Sequence, residues 1–173
     1  MSFKEFGTAS VKVLMCVSGA MLLWGSGNAG AVTKRDNQAI VKAKSYLRTE
    51  PSSLQGLITQ LNYGGFTIAE ATYGAEHSGA NWSNEALLSA KKNLGTTAFS
   101  SKGLLKRLEI SKFTAGQAAY AVAHCGANWN SEAFKAAQQS LAAVKVPKGA
   151  LVRQLESSGF TVAQANYGAD RAE

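Results

Sequence analysis

Small apolar residues recur in the middle of the chain with the spacing of amphipathic helices. Ala86 and Ala90 share one helical face, because residues three or four apart lie on the same side of a helix. Leu104 and Leu108 repeat this spacing in a shorter stretch, and a third, alanine-rich stretch spans 115–122. No segment shows the sustained alternation of apolar and polar residues that a strand requires. The pattern predicts three short helices.

Polar residues mark where these helices begin. We expect Ser83 to be the N-cap of the first helix, with Glu85 in its first turn, where a negative charge suits the helix dipole. Thr114 is followed three residues later by Gln117, which is the capping-box pattern. Phe113 precedes the box, as a hydrophobic staple requires.

The three-helix pattern recurs at a fixed interval of 47 residues without a gap. Aligned positions include Phe66, Phe113 and Phe160; Tyr73, Tyr120 and Tyr167; and Gly-Ala-Asn-Trp at 79–82 and 126–129. Such periodicity indicates similar units stacked side by side. We predict an all-α tandem array of three-helix, helix-turn-helix-like repeats. Its repeats span 32–83, with a short N-terminal leader, then 84–130, and 131–173, the last truncated before a Trp equivalent.

The capping box recurs with the repeat. Thr67 precedes Glu70, and Thr161 precedes Gln164, at the same spacing. The predicted core faces of the third helices are Ile68, Ala71, Thr72 and Ala75; Ala115, Ala118, Ala119 and Val122; and Val162, Ala165, Asn166 and Ala169. Small side chains on these faces would let the helices approach closely.

The first 31 residues have the pattern of a secretory signal peptide. Lys4 and Lys12 precede an apolar run over 13–24, which at about 1.5 Å per residue is too short to cross a hydrocarbon core of roughly 30 Å. Ala29-Gly30-Ala31 then offers a cleavage pattern, so we expect cleavage after Ala31 and a secreted chain that begins at Val32.

Positive charge concentrates in the second repeat. The whole chain carries 18 basic and 11 acidic side chains. Within the second repeat we select four basic residues in or just after its second helix as candidate partner-binding groups: Lys102, Lys106, Arg107 and Lys112. They would attract an acidic partner, whether a protein, an anionic surface or a nucleic acid; an ordinary solvated face is the alternative.

The sequence offers no catalytic, metal or cofactor motif. His77 and His124 share a repeat position at which the third copy has Arg171, so they are expected to cap or pack helices. Cys125 would be the one cysteine left after signal cleavage and is expected to be a small buried residue. We therefore expect a protein without enzymatic activity.

Two tryptophans stand where successive repeats meet. Trp82 and Trp129 each follow a Gly-Ala-Asn turn whose glycine can end a helix in the left-handed conformation. Each indole is either a wedge that fixes the angle between units or a platform for a partner.

Three segments closely resemble the repeat of the Ltp-type, host-cell-surface-exposed lipoproteins. They are Ser-Lys-Gly-Leu-Leu-Lys-Arg-Leu-Glu at 101–109, Gln-Ala-Ala-Tyr-Ala-Val at 117–122 and Cys-Gly-Ala-Asn-Trp-Asn at 125–130. The resemblance implies helical repeats displayed outside the membrane. It also implies exclusion of superinfecting phage by blocking DNA injection, with the incoming phage's tape-measure protein as the proposed partner.

The chain departs from this family in two respects. A lipobox needs a small residue before the modified cysteine, whereas Cys16 follows Leu14-Met15, so the sequence favours a soluble exported form over a lipid anchor at Cys16. The chain is also basic where the exclusion proteins are acidic, and it has Asn81 and Asn128 in place of the family's Asp, which predicts a different partner or contact face.

We expect an exported cell-envelope protein that acts in superinfection exclusion through protein–protein contact. The alternatives are a module that binds anionic cell-wall polymer through its basic repeat and a nucleic-acid binder, which export argues against.

Overall fold

The computed structural model describes residues 32–172, which form nine α-helices and no strand. The helices are α1 (Lys34–Thr49), α2 (Leu54–Tyr63), α3 (Ile68–Glu76), α4 (Trp82–Thr96), α5 (Ser101–Ile110), α6 (Ala115–His124), α7 (Trp129–Ala143), α8 (Lys148–Ser157) and α9 (Val162–Ala172). Each helix packs mainly within its own consecutive group of three. We call α1–α3 the first unit, α4–α6 the second unit and α7–α9 the third unit. The prediction of an all-α array of three-helix repeats is confirmed.

The third helix of every unit begins with the predicted capping box. The Thr67 hydroxyl accepts the Glu70 N–H at 3.3 Å, and the Glu70 carboxylate accepts the Thr67 N–H at 2.9 Å. Thr114 pairs with Gln117, and Thr161 with Gln164, through the same two bonds. These reciprocal bonds satisfy donors that a helix start would otherwise leave unpaired.

The first helix of the second unit begins earlier than the sequence predicted. Its N-cap is Asn81 rather than Ser83, and the Asn81 side chain accepts the Asn84 N–H at 3.0 Å. Asn81 has extended backbone directly after a turn in which Gly79 has a φ of 76°. The turn therefore ends two residues sooner than predicted, and Trp82 becomes the first residue of α4.

Each unit has its own core of leucines from its second helix packed on alanines of its first and third helices. In the second unit the fully buried members are Ala86, Ala90, Leu104, Leu108, Ala118 and Ala121. The first and third helices approach closely: a Cβ added at Gly74 would lie 2.6 Å from the Ala39 Cβ. A Cβ at Gly168 would lie 2.6 Å from the Ala133 carbonyl oxygen. Small residues at these crossings allow the close packing.

The predicted core face of the third helix is confirmed at its central alanines, which are buried in every unit, and wrong at one edge. Ala115 and Ala119 are exposed, and the buried positions are Ala118, Ala121 and Cys125. In the other units the predicted Ile68, Val162 and Asn166 are exposed, whereas Gly74 and Gly168 are buried. The observed face brings the smallest side chains of the helix against the first helix of the same unit, because larger ones would not fit there.

Two serine hydroxyls join the units. Ser53, the N-cap of α2, donates to the Ser111 carbonyl oxygen at 2.7 Å. Ser100, the N-cap of α5, donates to the Ser158 carbonyl oxygen at 2.7 Å. The N-terminus of α2 therefore meets the C-terminus of α5, and the N-terminus of α5 meets the C-terminus of α8. We call the contact between the first and second units the first joint, and that between the second and third units the second joint.

Candidate partner-binding site

The two candidate tryptophans lie at the joints. Trp82, the first residue of α4, is half-buried and packs against the core of the first unit. Trp129, the first residue of α7, packs in the same way against the core of the second unit. Each indole thus ties its own unit to the preceding core while keeping part of its surface exposed. This packing is what a wedge between units requires. A contact between the exposed part of the indole and a partner stays a prediction.

A cleft opens at each joint, and the two clefts are built mostly from equivalent positions of the repeat. The first cleft, at the first joint, has a volume of about 400 Å³. It is lined by Glu50, Pro51, Ser52, Ser53, Gln60, Ser89, Lys92, Asn93, Thr96, Arg107, Ser111 and Phe113. The second cleft, at the second joint, has a volume of about 560 Å³. It is lined by Ala98, Phe99, Ser100, Gly103, Ala136, Gln139, Ser140, Ala143, Val144, Val146, Gln154, Ser158 and Phe160.

The equivalent positions carry different chemistry. Lys92 and Arg107 of the first cleft correspond to Gln139 and Gln154 of the second. Ser52, Ser89 and Thr96 correspond to Phe99, Ala136 and Ala143. The first cleft is therefore charged and polar, and an ion pair between Lys92 and Glu50 crosses it. The second cleft is apolar, with amide and hydroxyl groups but no charged side chain in its lining.

The four candidate basic residues do not form one patch. Arg107 lines the first cleft, and its Nε donates to the Asn93 side-chain oxygen at 3.4 Å. Lys102 lies at the other end of α5, beside the second joint, where a Cβ added at Gly159 would be 3.1 Å from the Lys102 Cβ. Lys106 is exposed on α5 between them. The basic charge of the second unit is thus divided between the two joints.

Lys112 has an unusual backbone. Its φ is 68°, and it is the one non-glycine residue with positive φ in the described chain. The equivalent residues are Gly65 and Gly159, each with a φ of 91°. A lysine in this left-handed region is strained, because its Cβ crowds the backbone. The strained residue directly follows Ser111, whose carbonyl accepts the hydrogen bond of the first joint.

The two histidines pack on tyrosines, as predicted. The His77 ring stacks on Tyr73 with centroids 3.9 Å apart, and its Nδ1 lies 2.8 Å from the Tyr73 carbonyl oxygen. His124 stacks on Tyr120 in the same way. Arg171 places its guanidinium over the ring of Tyr167 in the third unit. Capping and packing explain why an imidazole and a guanidinium both serve at this position.

Cys125 is buried at the end of α6 within the second core, as expected of a small buried residue. Its thiol donates to the Val122 carbonyl oxygen at 3.3 Å.

A buried carboxylate lies on the first helix of both the second and third units. Glu85 is only 9% exposed, and its Oε2 has no hydrogen-bond partner. Burial raises the pKa of the Glu85 carboxyl, and a hydrogen bond from the Ser52 backbone acts in the opposite direction. Glu132 is the equivalent residue; its Oε1 accepts from Lys135 at 2.8 Å while its Oε2 has no partner. By contrast, the Arg35 guanidinium and the Thr67 backbone N–H lower the pKa of the Glu70 carboxyl.

Within residues 32–172 no three His, Cys, Asp or Glu side chains are grouped as a metal site would require. None of the described helices combines the length and apolar character needed to span a membrane. The predicted cleavage after Ala31 and the residue Cys16 lie outside the described residues.

Sequence reasoning missed the joint serines and the second cleft. Ser53 and Ser100 share a repeat position, and Pro147 replaces them in the third unit, so the periodicity contained a signal for the serines. The cleft had no comparable signal, because its lining comes from separate segments of two units.

Comparison with known proteins agrees with the repeat architecture. The family model described as host cell surface-exposed lipoprotein matches three times, over 34–77, 81–125 and 128–171. The chain is also similar to a solved structure of Ltp, a superinfection exclusion protein from the Streptococcus thermophilus temperate phage TP-J34. That match has 32% sequence identity and a TM-score of 0.52, and it covers 54% of this chain and 98% of that chain. A comparison with curated proteins gave no significant match. Because the three family matches fall on its three helical units, the chain belongs to the host cell surface-exposed lipoprotein family.

Proposed function

We propose that this protein acts at the cell surface to exclude superinfecting phage. The observation that supports this function is the similarity to the exclusion protein Ltp, at 32% identity over nearly the whole of that chain. A shared fold alone does not fix a function, but this likeness extends to sequence as well as to architecture.

The proposed mode of action is protein–protein contact that blocks DNA injection, without catalysis. The joints offer half-buried indoles and clefts between units, which are features of protein-binding surfaces. The proposed partner is part of the phage injection machinery, such as a tape-measure protein. Because the second unit is basic, an acidic region of that partner would be attracted to it.

Export would deliver the protein to the place where it acts. We propose that residues 1–31 are a signal peptide and that the secreted chain begins at Val32. Intact mass and N-terminal sequencing of the protein from its host test this. A diacylglyceryl group on Cys16 would contradict the proposal and establish a lipid anchor, as the family description implies.

The functional test is a phage challenge. Cells that produce the protein are exposed to a panel of phages, and adsorption and DNA entry are measured separately. We expect normal adsorption and reduced DNA entry for at least one phage. Protection against none of the phages, or protection at the adsorption step, would contradict the injection-blocking function.

The basic residues are tested in the same assay. The double variant Lys106→Glu/Arg107→Glu reverses exposed charges and spares the buried Leu104 and Leu108, so we expect a folded protein with weaker exclusion. The matched control is Lys44→Glu/Arg48→Glu, which makes the same charge change on α1. Arg48 and Arg107 both lie in the last turn of a helix, so the effect on the helix dipole is similar. Equal loss of exclusion by both variants would show that only net charge matters.

Binding to an anionic cell-wall polymer is the second candidate function. Lys102 and Lys106 are exposed and form no ion pair among the described residues, which suits a polyanion. Pull-down on purified cell walls and on phage virion proteins separates the two functions. Binding to the cell walls without binding to any virion protein would favour this alternative.

A further inference from the structure

We propose that the second cleft binds apolar side chains of an acidic segment of a partner protein. This inference rests on the proposed function, because it names the contact face and the chemistry of the partner. The second cleft has a volume of about 560 Å³, which falls within the range of roughly 300–1,000 Å³ that is usual for ligand pockets.

The lining of the cleft selects for apolar side chains. Phe99, Val144 and Val146 face the space together with two alanines of α7. The Val144 side chain is largely exposed, at 62%. When a partner covers apolar groups that are in contact with water, the free energy of the system falls, which favours binding. The first cleft offers no such stabilisation where it has Ser52, Ser89 and Thr96 in place of Phe99 and the two alanines.

The charges beside the cleft select for an acidic partner. Lys102, Lys145 and Arg153 are exposed cations, and each is an immediate sequence neighbour of a lining residue; the fourth charged neighbour, Lys135, lines a separate cavity beside Cys125. Lys135 is paired with Glu132. The other three form no ion pair within residues 32–172. An apolar segment with carboxylates on its flanks would therefore meet complementary charge.

The polar groups of the lining favour a protein over a polymer. The side chains of Gln139 and Gln154 can both donate and accept hydrogen bonds, as peptide groups require. An anionic wall polymer would use the cations but would leave the apolar wall uncovered. A protein segment uses both.

Three synthetic peptides of equal length test the inference on the purified protein. The first combines glutamates with leucine and phenylalanine at helical spacing, the second replaces the apolar residues by alanine, and the third replaces the glutamates by lysine. We expect the first peptide to bind roughly tenfold more tightly than the others. Its binding should shift the backbone NMR signals of Phe99, Ala136 and Val146. Equal binding of all three peptides, binding of none, or shifts confined to other surfaces would overturn the proposal.

The repeat supplies matched variants. Ala136→Ser/Ala143→Thr installs the residues of the first cleft, which the same fold already accommodates, and should weaken binding of the first peptide roughly fivefold. The control Ser89→Ala/Thr96→Ala makes the reverse exchange in the first cleft and should leave the affinity unchanged. Lys145→Glu/Arg153→Glu should also weaken binding of the first peptide, and the effect should be larger at low salt than at high salt because salt screens the charges.

Phage challenge separates this inference from the proposed function. If Ala136→Ser/Ala143→Thr loses peptide binding but excludes phage as well as the parent, the cleft is not the contact face, and the proposed function stands. If the parent binds the peptide at the cleft but excludes no phage, the proposed function fails, and the binding site stands.

Discussion

The first and second joints are built on the same framework but present different surfaces. Both have a serine hydroxyl donating across the joint at 2.7 Å and an indole packed on the preceding core. The first joint surrounds its cleft with an ion pair and hydroxyl groups, whereas the second surrounds its cleft with aromatic and aliphatic groups. The comparison teaches that a repeat can keep its stacking contacts constant and vary the residues around them to make a site.

The largest expected effect is on the indoles. We expect Trp82→Ala and Trp129→Ala each to lower the free energy of unfolding by roughly 2–3 kcal/mol, below the value for a fully buried Trp because each indole is partly exposed. Urea denaturation without any ligand measures this. If one variant is as stable as the parent yet loses partner binding, that indole is a contact residue, and the joints differ more than their geometry suggests.

The serines test whether the shared framework contributes equally. Ser53→Ala and Ser100→Ala each remove an N-cap and leave a carbonyl across the joint without its donor, so each should cost about 2 kcal/mol. The serines lie far apart, and the double variant should therefore show additive costs. Denaturation of the two single variants and the double variant checks both points. Clearly unequal costs would break the equivalence of the joints.

The residue after each accepting carbonyl distinguishes the joints. Lys112→Gly should stabilise the protein by up to about 1 kcal/mol, because glycine relieves the left-handed strain at some cost in unfolded-state entropy. Gly159→Lys should destabilise it, since a Cβ there would lie 2.8 Å from the Ser100 hydroxyl oxygen. Melting temperatures of the two variants measure the contrast. A less stable Lys112→Gly variant would mean that the lysine side chain makes a compensating contact.

The smallest expected effect is a pH dependence carried by Glu85. Because its folded pKa is raised above the unfolded value, the folded state holds the proton more tightly, and the stability from this group is lost as pH rises through the folded pKa. Glu85→Gln removes this dependence. The stability of the parent relative to the variant should therefore increase as pH falls from neutral towards 4.5, the ordinary pKa of a glutamate. Urea denaturation across this range measures it, and a constant difference would show that Glu85 keeps its ordinary pKa.

Local signals in the sequence predicted much of the fold. Thr114 and Gln117 lie three residues apart, so their capping box depends on a single helical turn and could be read directly. The second helix around Leu104 and Leu108 was also found from spacing alone. Errors arose where neighbouring elements decide the outcome. The helix start at Asn81 depends on the preceding turn, and the burial of Ala121 rather than Ala119 depends on how α6 meets α4.

The sequence by itself determined that the chain repeats every 47 residues and where most of its helices begin, because periodicity and caps involve residues close together along the chain. Tertiary structure alone decided what the joints look like. Ser53 and the carbonyl of Ser111 lie 58 residues apart, and the second cleft forms only when segments of the second and third units meet. It also placed Lys102 and Arg107, which lie on the same helix, at different joints, because α5 spans from one joint to the other.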